Sequence, residues 1–436
     1  MKKSKTHKGV FLKKGRLPFV FFIFILFSSI SAFTQPQNQL TDAEYHAMAA
    51  QAAENKSWQD AVNYEKKAYN LNHAEPVYAK QLCVYYNNYA IALLGNSRYD
   101  LAMGNFKEAL KFDPANNTVK DNMYNVTMDE AGRSLKALRV QEAVNLAKDC
   151  ISYNPKRATA YAFLGNLYYQ ENKLEDAVKY WIEAVSLDPA NAAISEKLDK
   201  AKRELAVERN FKTRSRAYFD IVFEGEKDPE LIWDIMDILE DARRSIKSEF
   251  SFFAEDKITV VIYNTEQFSK TSPNALDWTL GLYDGKIRIK VGDILSNDKD
   301  FLRRIIYHEY GHAVLHILYP KNIPLWLHEG FARLSEPPQP LLPQEKSALD
   351  NLKKESNFNL SKISSMFESG NYNDMGLAYL ESKAFLEYLI GRYGKYKFKA
   401  LLEKLNSGMS FDEISYEIYR VHTKDLENDF VKNILY

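Results

Sequence analysis

The sequence predicts an α-solenoid of paired helices followed by an α+β domain. A motif with a 34-residue period recurs in the first half of the 436-residue chain, and β-branched and aromatic runs typical of strands follow Arg214. Beyond those runs, His308 and His312 lie four residues apart in an apolar stretch. The 46% hydrophobic and 27% charged residues indicate a folded protein rather than a disordered one. The segment boundaries are predicted at 1–34, 35–212 and 213–436.

Residues 1–34 have the composition of an export signal. A basic segment that ends at Arg16 precedes an apolar run from Leu17 to Phe27, and small and polar residues follow. The apolar run is about half as long as the ~20 residues that a membrane-spanning helix needs. We therefore expect cleavage, with an uncleaved membrane anchor as the alternative. The expected location is the periplasm or the cell envelope.

Charge is distributed unevenly along the chain. The formal net charge is +0, but the first 34 residues contain seven Lys or Arg and no acid, which leaves 51 basic against 58 acidic residues in the remainder. A mildly acidic body is a poor electrostatic match for nucleic acid. We therefore expect no nucleic-acid partner, and membrane contact only through an uncleaved N-terminal segment.

The first half contains an internal helical repeat. Pro155 and Pro189 end successive copies and are 34 residues apart, which is the tetratricopeptide period. The best copy has the motif's residue types at Tyr161, Leu164, Gly165, Tyr168, Ala177, Trp181, Ala184 and Pro189. This part resembles tetratricopeptide proteins, and a polar capping helix follows it. Four repeats are predicted, at about 42–75, 83–116, 124–157 and 158–191.

The repeat also indicates a role for the first half. One repeat cannot bury its apolar face alone, so several must stack, and the stack offers a concave surface to a protein or peptide partner. A spacer is the alternative. Cys83 and Cys150 fall at positions where the repeat needs a small buried residue, so we expect free thiols. A disulfide between them remains open, because an exported protein could form one.

The second half has the pattern of an α+β domain. The runs "SRAYFDIVFEG" and "KITVVIYN" predict strands, and the amphipathic segment between them predicts a helix. The turn signal Asp284-Gly285, followed by alternating Ile287 and Ile289, predicts a hairpin or an edge strand.

The run "DKDFLRRIIYHEYGHAVLHILYP" predicts a helix that carries a metal site. His308 and His312 lie one turn apart on one face, so both imidazoles can reach a single zinc ion. Glu309 is rotated off that face, where it can act as a general base on a water at the metal. His316 lies about 12 Å along the axis from His308, too far to share the ion, and is expected in the core or behind a ligand. Tyr310 is expected in the core.

Glu329 is the candidate third ligand. It lies in "PLWLHEGFARLSE", where Pro324 predicts the start of a second helix. The apolar neighbours of Glu329 indicate a buried element, and a buried carboxylate needs a compensating cation. Two histidines, a glutamate and a water form an open, four-coordinate catalytic zinc site. The adjacent His328 either supports a ligand or faces solvent.

The HExxH motif followed by "WLHEGFA" resembles the gluzincins, and especially their zincin-like peptidase MA-like domains. The resemblance covers about residues 213–436. It implies a zinc metallopeptidase with one Zn²⁺ per chain, held by His308, His312 and Glu329, and with Glu309 as the base.

The resemblance also concerns the substrate cleft. A later helix of the family often begins with a tyrosine near the cleft, and Tyr379 matches that place; its implied role is to donate a hydrogen bond to the developing oxyanion, and simple packing is the alternative. The segment "GLYDGKIRIK" matches the strand at the cleft edge. It lacks the Gly-x-Met-Glu-Asn motif of the related aminopeptidases, so an endopeptidase is expected.

The sequence therefore predicts an exported zinc-dependent endopeptidase whose repeats bind a protein or peptide partner. A different class remains open: a non-catalytic envelope adaptor or assembly factor that retains a vestigial peptidase fold.

Overall fold

The computed structural model describes residues 40–95, 98–225, 229–255, 257–273, 275, 280–292, 298–369 and 371–434. The predicted export signal at 1–34 lies outside this range. The chain divides after Asn116 into two compact units. Helix pairs followed by an α+β domain are observed, so the predicted fold class is confirmed. Within the described residues, no helix is both long and apolar enough to span a membrane.

The first unit consists of two helix pairs. Thr41 caps the first helix through a capping box with Glu44. Pro76 occupies the first turn of the third helix, seven residues before the predicted start of the second repeat. Fully buried alanines between the helices, such as Ala61 and Ala102, permit their close approach. The helices are α1 Asp42–Glu54, α2 Trp58–Leu71, α3 Pro76–Leu94 and α4 Tyr99–Phe112.

The second unit begins with two further helix pairs and a capping helix. The first helix of this unit has 20 residues, against 13 in the equivalent helix of the next pair. These seven extra residues explain why Pro114 and Pro155, which end the second and third repeats, are 41 residues apart rather than 34. A Cβ atom at Gly165 would lie 2.4 Å from the ring of Trp181, so glycine is required there. Cys83 and Cys150 are both buried and free. These helices are α5 Asn117–Lys136, α6 Val140–Tyr153, α7 Ala158–Gln170, α8 Leu174–Leu187 and α9 Ala192–Glu208.

A five-stranded mixed sheet follows, in the order β1-β2-β3-β5-β4. Strands β2, β3 and β5 are parallel, while β1 and β4 pair antiparallel at the two edges. The predicted strands and hairpin are present, but the polar strand β1 was not identified from the sequence. The helix α10 Pro229–Phe250 connects β2 to β3, and α11 Thr265–Thr271 follows β3. The strands are β1 Phe211–Ser215, β2 Phe219–Glu224, β3 Ile258–Tyr263, β4 Gly281–Tyr283 and β5 Ile287–Lys290.

Helices form the rest of the second unit and pack on the sheet through one large apolar core. Phe331 lies at the centre of this core, with its ring 5.1 Å from that of Phe250 and 5.9 Å from that of Phe398. The helices are α12 Lys299–Leu318, α13 Leu325–Ser335, α14 Pro343–Glu355, α15 Leu360–Glu368, α16 Tyr372–Tyr393, α17 Lys395–Asn406, α18 Phe411–Ile414, a π-helical turn Ser415–Tyr419 and α19 Thr423–Lys432.

Two glycines bring three of these helices together. A Cβ atom at Gly311 of α12 would lie 3.0 Å from Cα of Ala332 in α13. A Cβ atom at Gly330 of α13 would lie 2.9 Å from the carbonyl oxygen of Ser382 in α16. Contacts this close exclude larger residues without movement of the backbone. The sequence therefore places glycine where α12, α13 and α16 converge.

A buried ion network connects the capping helix α9 with the β4–β5 hairpin. Arg288 of β5 is fully buried and donates to Glu204 of α9 at 2.7 Å and to Asp284 of the hairpin turn at 3.0 Å. Lys286 donates to the other oxygen of Glu204 at 3.0 Å, and Lys200 pairs with Asp284 at 2.7 Å. The buried Glu204 and the partly exposed Asp284 thus each have a cation supplied by the chain itself.

Candidate metal centre

The predicted ligands converge between α12 and α13. The Nε2 atom of His312 lies 3.2 Å from Nε2 of His308 and 3.2 Å from Oε2 of Glu329. The remaining separation, from His308 Nε2 to Glu329 Oε2, is 3.5 Å. Of the described residues, these three form a group of side chains able to hold one metal ion. The i, i+4 spacing on α12 and the close approach of α13 at Gly311 produce this arrangement.

The three separations match those of zinc ligands. Zn–N and Zn–O bonds of about 2.0–2.1 Å in a tetrahedron place neighbouring donor atoms roughly 3.3–3.4 Å apart. Oε2 of Glu329 is buried and has no hydrogen-bond partner among the described residues, although it faces two imidazole nitrogens. A cation at this position would stabilise a buried carboxylate oxygen that has no hydrogen bond. The donor set therefore fits a zinc ion.

Glu309 lies beside this cluster and outside it. The side chain is 6% exposed, and its Oε2 atom has no hydrogen-bond partner within the described ranges. Strand β4 covers it: a Cβ atom at Gly281 would lie 2.5 Å from Oε1 of Glu309. Glycine at this position lets the edge strand approach the carboxylate. Glu309 is thus free to accept a proton from a water at the cluster.

Glu336 supports His308 from the side opposite the cluster. Its Oε1 atom lies 3.0 Å from Nδ1 of His308, and Arg333 donates to the same carboxylate at 3.1 Å. Because an ionised carboxylate only accepts, Nδ1 of His308 carries the proton and Nε2 is left to bind a metal. The sequence analysis did not identify Glu336. The signal for it was weak, because only Glu329 and Arg333 lie one turn apart on α13, and Glu336 follows the last residue of that helix in an extended conformation.

His328 contacts His312, the second candidate ligand. Its Nδ1 atom lies 3.2 Å from Nδ1 of His312, and the two ring centroids are 5.5 Å apart. The side chain is only partly exposed. Of the two possibilities left open by the sequence, contact with a ligand is therefore the one observed.

Tyr379 of α16 lies near the cluster. Its ring centroid is 6.1 Å from that of His308 in an edge-on arrangement, and Phe367 packs on it with centroids 5.1 Å apart. Burial, followed by the charges of Glu329 and Glu309, raises the pKa of its hydroxyl. The hydroxyl therefore stays protonated, as a hydrogen-bond donor must.

The electrostatics of the cluster reflect an excess of carboxylates. Burial alone would lower the pKa of His308, but Glu329 and Glu336 outweigh burial and raise it to about 10. Burial raises the pKa of Glu309, which His312 and His308 only partly oppose. Burial also acts to raise the pKa of Glu329, but the charge of His312 and the proximity of His308 lower it overall. Burial and neighbouring His312 lower the pKa of His328 to about 4.

Two other predictions concern the same helix. Tyr310 is fully buried, so its expected place in the core is confirmed. His316 is exposed, and its ring lies 5.4 Å from that of Tyr283 in β4. The expectation of a core position or a place behind a ligand was therefore wrong for His316. The helix face that carries the partly exposed His308 and His312 is thus exposed to solvent one turn later, at His316.

Comparison with known families agrees with the geometry. Residues 246–436 match the family model of the Peptidase MA superfamily, and residues 158–191 match the tetratricopeptide repeat model. The predicted resemblance, a peptidase MA-like domain preceded by tetratricopeptide repeats, is confirmed.

Similarity to individual proteins is limited. A "DnaJ homolog subfamily C member 7 homolog" from Dictyostelium discoideum is 28% identical over 107 residues, which is 24% of this chain and 19% of that protein. The chain thus spans about a fifth of that relative. The solved "Crystal structure of MamA protein" is 14% identical over 37% of this chain and 80% of that one, with a TM-score of 0.21. "MamA 41-end from Desulfovibrio magneticus RS-1" is 22% identical over 37% and 83%, with a TM-score of 0.21.

Proposed function

We propose that this protein is an exported zinc-dependent endopeptidase whose helical repeats bind a protein or peptide partner. The observation that carries the proposal is the triangle of His308, His312 and Glu329 donor atoms, with sides of 3.2–3.5 Å, beside the buried, unpaired carboxylate of Glu309. The match of residues 246–436 to the Peptidase MA superfamily supports it.

His308, His312 and Glu329 would hold one zinc ion. A zinc ion bound there supplies Lewis acidity, which polarises a peptide carbonyl and lowers the pKa of a water. Glu309 takes the proton from the attacking water and delivers it to the nitrogen of the departing amine. Burial raises the pKa of Glu309, so the carboxylate is a stronger base than one in solvent. Tyr379 donates its hydroxyl hydrogen bond to the oxyanion that develops on the carbonyl.

The edge strand indicates how a substrate would lie. Strand β4 is at the end of the sheet and passes directly over Glu309 at Gly281. An extended peptide that pairs with this strand would bring its backbone to the general base. The strand carries none of the acidic residues that would select a free amino terminus, which favours an internal peptide bond. Export rests on the composition of residues 1–34 alone, and fractionation of cells that express the full chain tests it.

The decisive experiment separates zinc binding from hydrolysis. The parent protein is expected to contain about one zinc per chain and to cleave members of a broad peptide library. Glu309→Gln should keep the zinc but reduce the rate of hydrolysis by a factor of about 10²–10⁴, which is the usual contribution of general acid–base catalysis. His312→Ala should lose both. A parent that binds zinc and cleaves nothing in the library would overturn the peptidase and favour the adaptor.

A further inference from the structure

We propose that His328 is a positioning residue for His312, accepting a hydrogen bond from it at Nδ1 and thereby directing Nε2 of His312 to the metal. The inference rests on the proposed function, because it assumes that His312 is a ligand. The family pattern that "WLHEGFA" resembles, Trp-Leu-x-Glu-Gly-x-Ala, leaves positions 328 and 331 variable, so it does not require histidine here.

The geometry gives the two nitrogens of His312 separate partners. Nε2 faces His308 and Glu329 at 3.2 Å each, whereas Nδ1 faces His328 at 3.2 Å. The two nitrogens of an imidazole ring point in divergent directions. His328 therefore contacts the ligand on the side away from the donor cluster, and it is not a member of that cluster in the described part of the chain.

The protons follow from this arrangement. A neutral imidazole that binds a metal through Nε2 carries its hydrogen on Nδ1, so Nδ1 of His312 must donate. The partner must then be an acceptor, and a neutral His328 offers the lone pair of its Nδ1 while its own hydrogen is on Nε2. Partners of this kind fix both the tautomer and the ring orientation of a ligating histidine.

Charge explains why an imidazole suits this position. Glu336 already provides a carboxylate behind His308, and Glu309 and Glu329 add two more within the same buried region. Arg333 pairs with Glu336, so one divalent ion would offset the remaining negative charge, and a fourth carboxylate behind His312 would be left uncompensated. A neutral imidazole holds the ring without adding charge. The two ligating histidines thus have different supports, one ionised and one neutral.

The test measures zinc affinity of the full-length protein by competition with a chromophoric chelator. His328→Phe keeps a ring of similar shape and removes the acceptor, so zinc should bind about 10–100-fold more weakly. His328→Gln restores an acceptor oxygen and should recover most of the loss. The matched control is His316→Leu, an exposed histidine one turn beyond His312, which should leave the affinity unchanged. The visible spectrum of the cobalt-substituted protein should shift in His328→Phe alone.

The outcomes separate this inference from the proposed function. Failure of the parent to bind zinc overturns the proposed function itself. A parent that binds zinc, with His328→Phe equal to it in affinity and cobalt spectrum, overturns only the role of His328. Circular dichroism of the metal-free variants checks the fold, and His328→Ala replaces His328→Phe if the latter is unfolded. A loss that His328→Gln fails to recover would also contradict the proposed acceptor.

Discussion

Two clusters of charged side chains in the second unit differ in how the negative charge of their carboxylates is compensated. In the ion network, Glu204 and Asp284 receive their cations from Arg288 and Lys286, all fixed in the fold. In the candidate metal centre, Oε2 of Glu329 faces the imidazoles of His308 and His312 and has no hydrogen bond in the described structure. The chain itself thus supplies the cations of Glu204 and Asp284, whereas the proposed function requires the centre to receive its cation from outside.

A third buried carboxylate receives neither kind of cation. Glu381 of α16 is 4% exposed, and no hydrogen bond or ion pair to it is formed within the described part of the chain. Burial raises its pKa to about 7, against a weak opposing effect of Lys362. Burial of Glu204 is thus offset by lysine and arginine and burial of Glu381 by a raised pKa, and the proposed function assigns a metal ion to Glu329.

The largest effect is expected from breaking the network. Arg288→Met removes the cation shared by Glu204 and Asp284 and leaves buried charge unpaired, which should lower the free energy of unfolding by about 3–5 kcal/mol. Equilibrium urea unfolding of the full chain, followed by tryptophan fluorescence, measures it. The matched control is Arg133→Met, which breaks the exposed pair with Glu130 and should cost less than about 1 kcal/mol. Equal effects of the two substitutions would contradict the structural role of the network.

The second effect concerns the carboxylate without a cation. Glu381→Gln should raise the free energy of unfolding at pH 8 by up to about 3 kcal/mol. In the parent, the unfolded state releases this proton near pH 4.5 while the folded state holds it to about pH 7, so stability is lost as pH rises through that window. Urea unfolding at pH 5 and pH 8 checks this prediction. The free energy of unfolding should fall less between these two pH values in Glu381→Gln than in the parent. An unchanged profile would show that Glu381 is ionised in the fold.

The sequence was sufficient for the features that depend on local spacing. The repeat, the predicted strands and the pair His308 and His312 follow from periods of 34, two and four residues, and Glu329 follows from the apolar residues around it. Strand β1 was missed because Lys212, Thr213 and Arg214 give it a polar composition, and only its pairing with β2 makes it a strand.

Contacts between distant segments were beyond the sequence. Arg288 alternates with Ile287 and Ile289 as an exposed charge would, yet it is buried because a helix 84 residues earlier supplies Glu204. His328 stayed ambiguous for the same reason, since only the separation of α12 and α13 decides whether it contacts His312. Long-range partners of charged side chains leave no periodic trace in a single sequence.

The third effect tests whether the centre receives its cation from solvent. Zinc at 100 times its dissociation constant should raise the free energy of unfolding of the chelator-stripped protein by about 2.7 kcal/mol, because it binds the folded state. Thermal unfolding with and without zinc measures the increment. His312→Ala should abolish it, and Arg133→Met should retain it. An equal increment in His312→Ala would place the zinc elsewhere.

The smallest effect concerns the helix contact on which the centre depends. Gly311→Ala gains about 1 kcal/mol of helix propensity. Its Cβ atom would lie 3.0 Å from Cα of Ala332 and 3.1 Å from Oγ of Ser335, and overpacking of this kind costs about 1–3 kcal/mol. The net change should be a loss of about 1 kcal/mol, with weaker zinc binding because α12 and α13 carry the ligands.

Gly376→Ala is the matched control for this contact, because a Cβ atom at that glycine of α16 has no atom within 4 Å. It should stabilise the fold by roughly the helix-propensity gain of 1 kcal/mol. The free energy of unfolding measured in urea should therefore fall for Gly311→Ala and rise for Gly376→Ala. Zinc binding should weaken only in Gly311→Ala. A rise in the free energy of unfolding for both variants would mean that α12 and α13 can move apart freely. The close contact at Gly311 would then not determine the geometry of the centre.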